Sequence, residues 1–183
     1  MKNTKALLII DMQKGSFTPP AVRFDTDGVV TRINQLSDMF RRSGYPVIVI
    51  QQDGSAANAF VPHTEEWELL DNLKVESTDV YIDKYANDCF YNSQLGQKLE
   101  QLNVNELYIT GCATDFCVES TIQSALAKDY NIVAVKDGHT TGNRPHLNAE
   151  KVIEHYNWVW QNMIPTKGNI RVQLVEEIHA EMQ

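Results

Sequence analysis

The sequence predicts an α/β protein built on a parallel sheet with helices on both faces. Two observations carry that expectation. Continuous apolar runs, the mark of strands covered on both sides, alternate along the chain with amphipathic stretches of helical spacing. The chain also has 183 residues, 43% of them apolar, which suits one domain with a real core; residues 1–183 are read as that single domain.

The elements follow in order. Ala6-Leu7-Leu8-Ile9-Ile10 is the first strand and stops at Asp11. Residues 27–42 place Val29, Val30, Ile33, Leu36, Met39 and Phe40 on one helical face, and Ser43-Gly44 ends the helix. Val47 to Ile50 is a second strand and Val80 to Ile82 a shorter third. A short helix is expected over Leu95–Leu102, a fourth strand over Leu107–Thr110, a helix from Cys117 to Ala127 and a fifth strand over Ile132–Val135. Leu147 to Met163 is again helical, and Ile170-Arg171-Val172 reads as a last strand before a helix from Val175. Residues 53–78 alone lack periodicity; a loop of that length in a compact domain is usually a functional lid or binding segment.

Sixteen basic against twenty-four acidic side chains give a net charge of −8. Such a surface repels phosphate backbones and anionic membranes, so neither nucleic acid nor membrane is expected as a partner. No apolar run approaches the length of a membrane span, and the five-residue run after the basic N-terminus is too short for a signal peptide. Three cysteines, Cys89, Cys112 and Cys117, are too few for a disulfide framework and read as cytoplasmic thiols.

Ligands of open parallel sheets bind beyond the carboxyl ends of the strands. Asp11, Lys84 and Cys117 all reach that edge in this reading. Each alone has a plain explanation, as the start of a solvated loop, a surface lysine or a small packing residue. Together they supply an acid–base group, a cation and a thiol. A thiol at a helix N-terminus beside a lysine is expected to have a lowered pKa. Asp11 would take its proton and return it to a leaving amine, an arrangement suited to acyl transfer to water.

At these residues the chain resembles the isochorismatase-like cysteine hydrolases. The likeness rests on Leu7-Leu8-Ile9-Ile10-Asp11-Met12-Gln13, on Lys84 followed by Phe90 and Leu95, and above all on Gly111-Cys112-Ala113-Thr114-Asp115-Phe116-Cys117-Val118-Glu119-Ser120-Thr121. Asp137-Gly138-His139-Thr140-Thr141 extends it, so that it runs in order from about Lys5 to about Ile178. The resemblance implies a Rossmann-like three-layer α/β/α fold with a six-stranded, mostly parallel sheet. It implies an Asp11–Lys84–Cys117 triad, a cis peptide between Cys112 and Ala113, and an oxyanion hole from the Ala113 and Cys117 N–H groups. It also implies a homodimer or larger homo-oligomer acting on a small-molecule substrate.

Departures from the family's patterns narrow the chemistry. Nicotinamidases carry Asp-x-His after the second strand for a metal; here Asp53-Gly54-Ser55 stands there, and Asp53 with His63 makes a poor site. No metal and no cofactor are expected. Cys117 at the nucleophile position favours hydrolysis of a C–N bond in a small amide or carbamoyl compound through a thioester. The alternatives are vinyl ether hydrolysis of the isochorismatase type, with Asp11 as proton donor and Cys117 idle, and a non-catalytic binding protein on the same fold. Gln13, Phe17, Gln52, Trp67, Phe90 and Phe116 are the candidates for substrate contact. Cys112 is read as a buried small residue, Cys89 as a bystander near the site, His139 as a structural loop histidine, Asp115 as a capping residue, and Tyr156, Trp158 and Trp160 as core or interface. A dinucleotide-binding domain is excluded by Asp11-Met12-Gln13-Lys14-Gly15, which lacks the glycine-rich turn.

Overall fold

A computed structural model describes residues 4–19, 21–165 and 167–182. Six strands form one sheet: β1 (Thr4–Ile10), β2 (Val47–Gln52), β3 (Val80–Lys84), β4 (Val104–Cys112), β5 (Asn131–Thr140) and β6 (Ile170–Gln173). Their spatial order is β3-β2-β1-β4-β5-β6, and every neighbouring pair is parallel. The helices are α1 (Thr26–Arg42), α2 (Leu95–Gln101), α3 (Glu119–Ala127), α4 (Ala149–Gln161) and α5 (Val175–Met182).

The strand pleat sorts the apolar runs into two cores. Leu8, Ile10, Ile48 and Ile50 point to the face covered by Leu95 and Leu99 of α2, Ile122 of α3 and Trp160 of α4. Leu7, Ile9, Val47 and Val49 point to the opposite face, where Ile33, Leu36 and Phe40 of α1 and Ile178 of α5 meet them. The result is the expected three-layer α/β/α sandwich. Among the described residues no helix is long and apolar enough to cross a membrane.

Strand order reverses at β1, which has β2 on one side and β4 on the other. That switch point opens a crevice at the carboxyl edge of the sheet. Two backbone features shape it. Asp11 leaves β1 in the left-handed region at φ 51°, which an aspartate tolerates better than most residues. Gly111 lies at φ 118°, and a Cβ there would stand 2.1 Å from the Ile10 carbonyl oxygen. Only glycine lets β4 run that close to β1, and this closeness brings the turn after β4 beside Asp11.

Two elements differ from the sequence expectation. The fifth strand continues past the expected end at Val135 through Lys136-Asp137-Gly138, because His139 and Thr140 pair with Gly111 and Cys112 after a register shift. Residues 53–78 are not a free loop. Leu70 N donates to Met12 O (3.0 Å), Lys14 N to Glu68 O (2.7 Å) and Gly15 N to Glu66 O (2.9 Å). The segment is therefore laced to the chain after β1.

Candidate active site

Asp11, Lys84 and Cys117 come from the ends of three different strands. Asp11 follows β1 and Lys84 is the last residue of β3. Cys117 lies in a wide turn, Thr114–Val118, that precedes α3; it does not open the helix itself, as the sequence suggested, because Phe116 N and Val118 N both turn back to the Ala113 carbonyl. The Cys112–Ala113 peptide is cis.

Lys84 is fully buried and is the hub. Its Nζ stands 2.8 Å from Asp11 Oδ2 and 3.4 Å from Cys117 Sγ. It also donates to Gln52 Oε1 at 2.6 Å and to the Ala86 carbonyl at 3.0 Å. Burial works against the ammonium, but the Asp11 carboxylate outweighs it and holds Lys84 charged, above the ordinary lysine range. Asp11 Oδ1 is buried with no hydrogen-bond partner among the described residues. Burial pushes the Asp11 carboxyl up, against the opposing pull of Lys84 and Cys117.

The thiol departs from expectation. Lys84 does favour the thiolate, but burial and the Asp11 charge outweigh it, so Cys117 is pushed up and rests as a neutral thiol. The site therefore holds a carboxylate with a vacant lone pair, a locked ammonium and a proton-bearing sulfur. Such a trio can move the thiol proton to Asp11 as the sulfur attacks, instead of storing a thiolate.

Asp11 and Cys117 line a cleft of about 380 Å³, within the size range of small-ligand sites, while Lys84 contacts both from a fully buried position. Phe60, Tyr85 and Phe116 supply the cleft's apolar walls, and Arg23 and Arg144 stand at it. A larger depression of about 550 Å³ lies elsewhere, between α1 and α5, and includes none of the three groups.

A sequence model described as the isochorismatase domain matches residues 5–163. The chain belongs to the isochorismatase family. Streptothricin hydrolase of Streptomyces noursei is 28% identical over 145 residues, 79% of this chain but 58% of that protein. The chain thus spans little more than half the length of that relative. Ureidoacrylate amidohydrolase of Caulobacter segnis is 27% identical over 176 residues, 76% of this chain and 74% of the relative. Among solved structures, an isochorismatase family protein superposes with a TM-score of 0.84 at 29% identity, covering 93% of this chain and 99% of its own.

Of the six candidate contact residues, the structure brings Gln52 and Phe116 to the cleft. Gln52 commits its amide oxygen to Lys84; Phe116 is half exposed, with the Arg144 guanidinium 5.0 Å from its ring centroid. The other four face elsewhere. Gln13 is fully buried: its Nε2 donates to the Gln52 and Trp67 carbonyls (3.1 and 3.0 Å), and its Oε1 accepts from Gln52 N (2.7 Å). With all these bonds made within the protein, it clasps the long segment to β2. Phe17 packs into the α1-side core. Trp67 turns its ring to His63, and Phe90 stacks on Tyr130 under Lys128.

The remaining residues have structural partners. Asp53 Oδ1 accepts from Ser55 N (2.9 Å) and Oγ (2.5 Å). Among the described residues no three His, Cys, Asp or Glu side chains stand together to hold a metal. Cys89 and Cys112 are buried, and burial pushes each up to about 12. Asp115 takes both a fork from Arg144 and the Thr141 hydroxyl, all at 2.7 Å. Burial disfavours its charge, yet Arg144 and Thr141 prevail and its carboxyl is held below the usual range. Sequence reasoning missed Arg23 and Arg144, because both reach the cleft from loops without local pattern.

His139 is buried on β5 and supports the nucleophile turn. Asn157 Nδ2 donates to the Lys136 carbonyl, so its Oδ1 accepts from His139 Nε2 at 3.1 Å. His139 Nδ1 then accepts the Thr114 hydroxyl at 2.8 Å. This pairing requires a neutral ring, and burial lowers its pKa to about 4. The unfolded chain takes up this proton near pH 6.5, the fold only near pH 4. Stability is therefore full above pH 6.5 and is lost as pH falls toward 4, by about 3 kcal/mol over the window. Urea unfolding of the protein and of His139→Gln between pH 7 and 4.5 checks this; the variant is expected to show the flatter pH dependence.

Proposed function

We propose that this protein is a cysteine hydrolase that cleaves a C–N bond of a small amide or carbamoyl compound through a thioester on Cys117. The observation that carries the reading is the contact of one buried ammonium with both a carboxylate and a thiol, at 2.8 and 3.4 Å. In the first step Cys117 Sγ attacks the carbonyl carbon and its proton passes to Asp11, whose raised pKa makes it a stronger base. Lys84 faces the charge that develops on sulfur and keeps Asp11 oriented. The Ala113 and Cys117 N–H groups receive the carbonyl oxygen, a contribution often worth about 3 kcal/mol. Asp11 returns the proton to the departing nitrogen, and ammonia or an amine leaves. Water, giving its proton to Asp11, then attacks the thioester, releasing the acid and restoring the thiol. No step needs a cofactor.

The names of two relatives, streptothricin hydrolase and ureidoacrylate amidohydrolase, favour hydrolysis of this kind. Three free cysteines suit a reducing, cytoplasmic setting. The test is a screen of small amides, carbamoyl compounds and isochorismate for ammonia release, followed by intact-mass measurement of protein quenched during turnover. An acyl adduct on Cys117 is expected. Turnover of isochorismate with no adduct would favour vinyl ether chemistry instead.

A further inference from the structure

The sulfur of Cys117 has a neighbour that the mechanism above leaves idle. Asn87, on the turn after β3, lines the cleft, and its Oδ1 accepts from the Cys117 thiol at 3.6 Å, an ordinary span for the large sulfur atom. The side chain is exposed, but its backbone is pinned on both sides. The Ala86 carbonyl accepts from Lys84 Nζ at 3.0 Å, and Cys89 N donates to Thr121 Oγ1 of α3 at 3.2 Å. The other groups around the sulfur leave its proton to Asn87. Lys84 has three N–H groups for three oxygens, Asp11 Oδ2, Gln52 Oε1 and the Ala86 carbonyl, so its gift to the sulfur is chiefly charge. Asp11 acts on the thiol through its own charge, yet its Oδ1 makes no hydrogen bond among the described residues. Cys89, which also faces the sulfur, is kept neutral by burial. Of the charged groups at the cleft, Arg23 is bound to the Ser16 carbonyl and the Cys112 sulfur, and Arg144 to Asp115.

We propose that Asn87 holds the Cys117 proton in the resting protein, so that the nucleophile is stored as a thiol and its proton stays within the site. The inference deepens the C–N hydrolase reading, which gives it a use, but its content rests on the contact at the sulfur. An amide carbonyl is too weak a base to remove a thiol proton, so Asn87 keeps it without taking it. As the S–C bond forms, the S–H bond breaks and the proton passes to the vacant Asp11 Oδ1; as the C–N bond breaks, the same proton reaches the departing nitrogen. A hydrogen bond to the neutral form also raises a thiol's pKa. Since the thiolate is the form that oxidants and alkylating agents attack, Asn87 protects the idle sulfur as well.

Alkylation of Cys117 without substrate, followed by peptide mass between about pH 7 and 9, reads the thiolate fraction. Asn87→Ala is expected to react about 3-fold faster than the unmodified protein at each pH, the equivalent of about half a pH unit. The gain should be the same with iodoacetamide and with the bulkier N-ethylmaleimide, because both report the thiolate. Asn87→Asp, which keeps the acceptor and adds a negative charge, is expected to react more slowly than the unmodified protein. An unchanged or slower rate in Asn87→Ala, a gain larger for the bulkier reagent, which would mean wider access alone, or an undiminished rate in Asn87→Asp would overturn the proposal. Ammonia release from small amides is measured separately on the unmodified protein. The expected alkylation pattern without ammonia release would overturn the hydrolase reading and leave the role of Asn87 standing, whereas ammonia release without that pattern would do the reverse.

Discussion

Replacing Cys117 with serine is expected to lower kcat by at least about 10⁴-fold while leaving the thermal midpoint almost unchanged. The exchange swaps one small side chain for another in a half-buried position, so packing barely alters. The chemistry alters greatly. Asp11, even with its carboxyl pushed up by burial, is far too weak a base to take a hydroxyl proton at useful frequency, and an alkoxide is a poorer match to the contact with Lys84 than a sulfur is. Steady-state ammonia release, with circular dichroism to confirm the fold, reads both halves of the expectation. A serine variant of near-normal rate would remove the covalent route and return the site to Asp11-driven proton donation.

Asp11→Asn is expected to cost both activity and stability. An amide neither accepts the thiol proton nor gives it back to the leaving nitrogen, and loss of such a general base lowers rates by about 10²–10⁴-fold. The same exchange strands the Lys84 ammonium, which is fully buried and depends on the Asp11 charge at 2.8 Å. Breaking a buried pair from one side costs about 3–5 kcal/mol, so a fall in Tm of roughly 10 °C is expected for a chain of this size. Asp11→Asn combined with Lys84→Met separates the two effects, since removing both charges should recover most of the midpoint and none of the turnover. Normal single-turnover kinetics in Asp11→Asn would exclude Asp11 as the base.

Much of this site can be read in the chain because its chemistry sits where strand patterns end. Ile10–Asp11 and the glycine-led turn from Gly111 to Cys117 are abrupt changes from apolar to reactive residues, and the sheet gathers their ends by topology. The limits are equally physical. The last strand residues of β5 were hidden because Lys136-Asp137-Gly138 has turn composition, and only pairing of His139 and Thr140 with β4 keeps them extended. Gln13 looked like a substrate contact because nothing local reveals bonds to residues 39 and 54 positions away. The direction of the Cys117 shift was misjudged for the same kind of reason. Residue types announce Lys84 and a nearby helix, but burial and the facing Asp11 charge appear only in three dimensions. Arg23 and Arg144 come from irregular loops, where side-chain direction has no period to follow.

The clasp made by Gln13 has a consequence for how molecules are admitted. One amide ties β2 to the Trp67 carbonyl, Gln51 Nε2 reaches the same carbonyl at 3.0 Å, and Phe60, from the same long segment, forms part of the cleft wall. The part of the rim that Phe60 supplies is thus carried by a segment stitched to the sheet, and any movement of that segment would have to break these bonds.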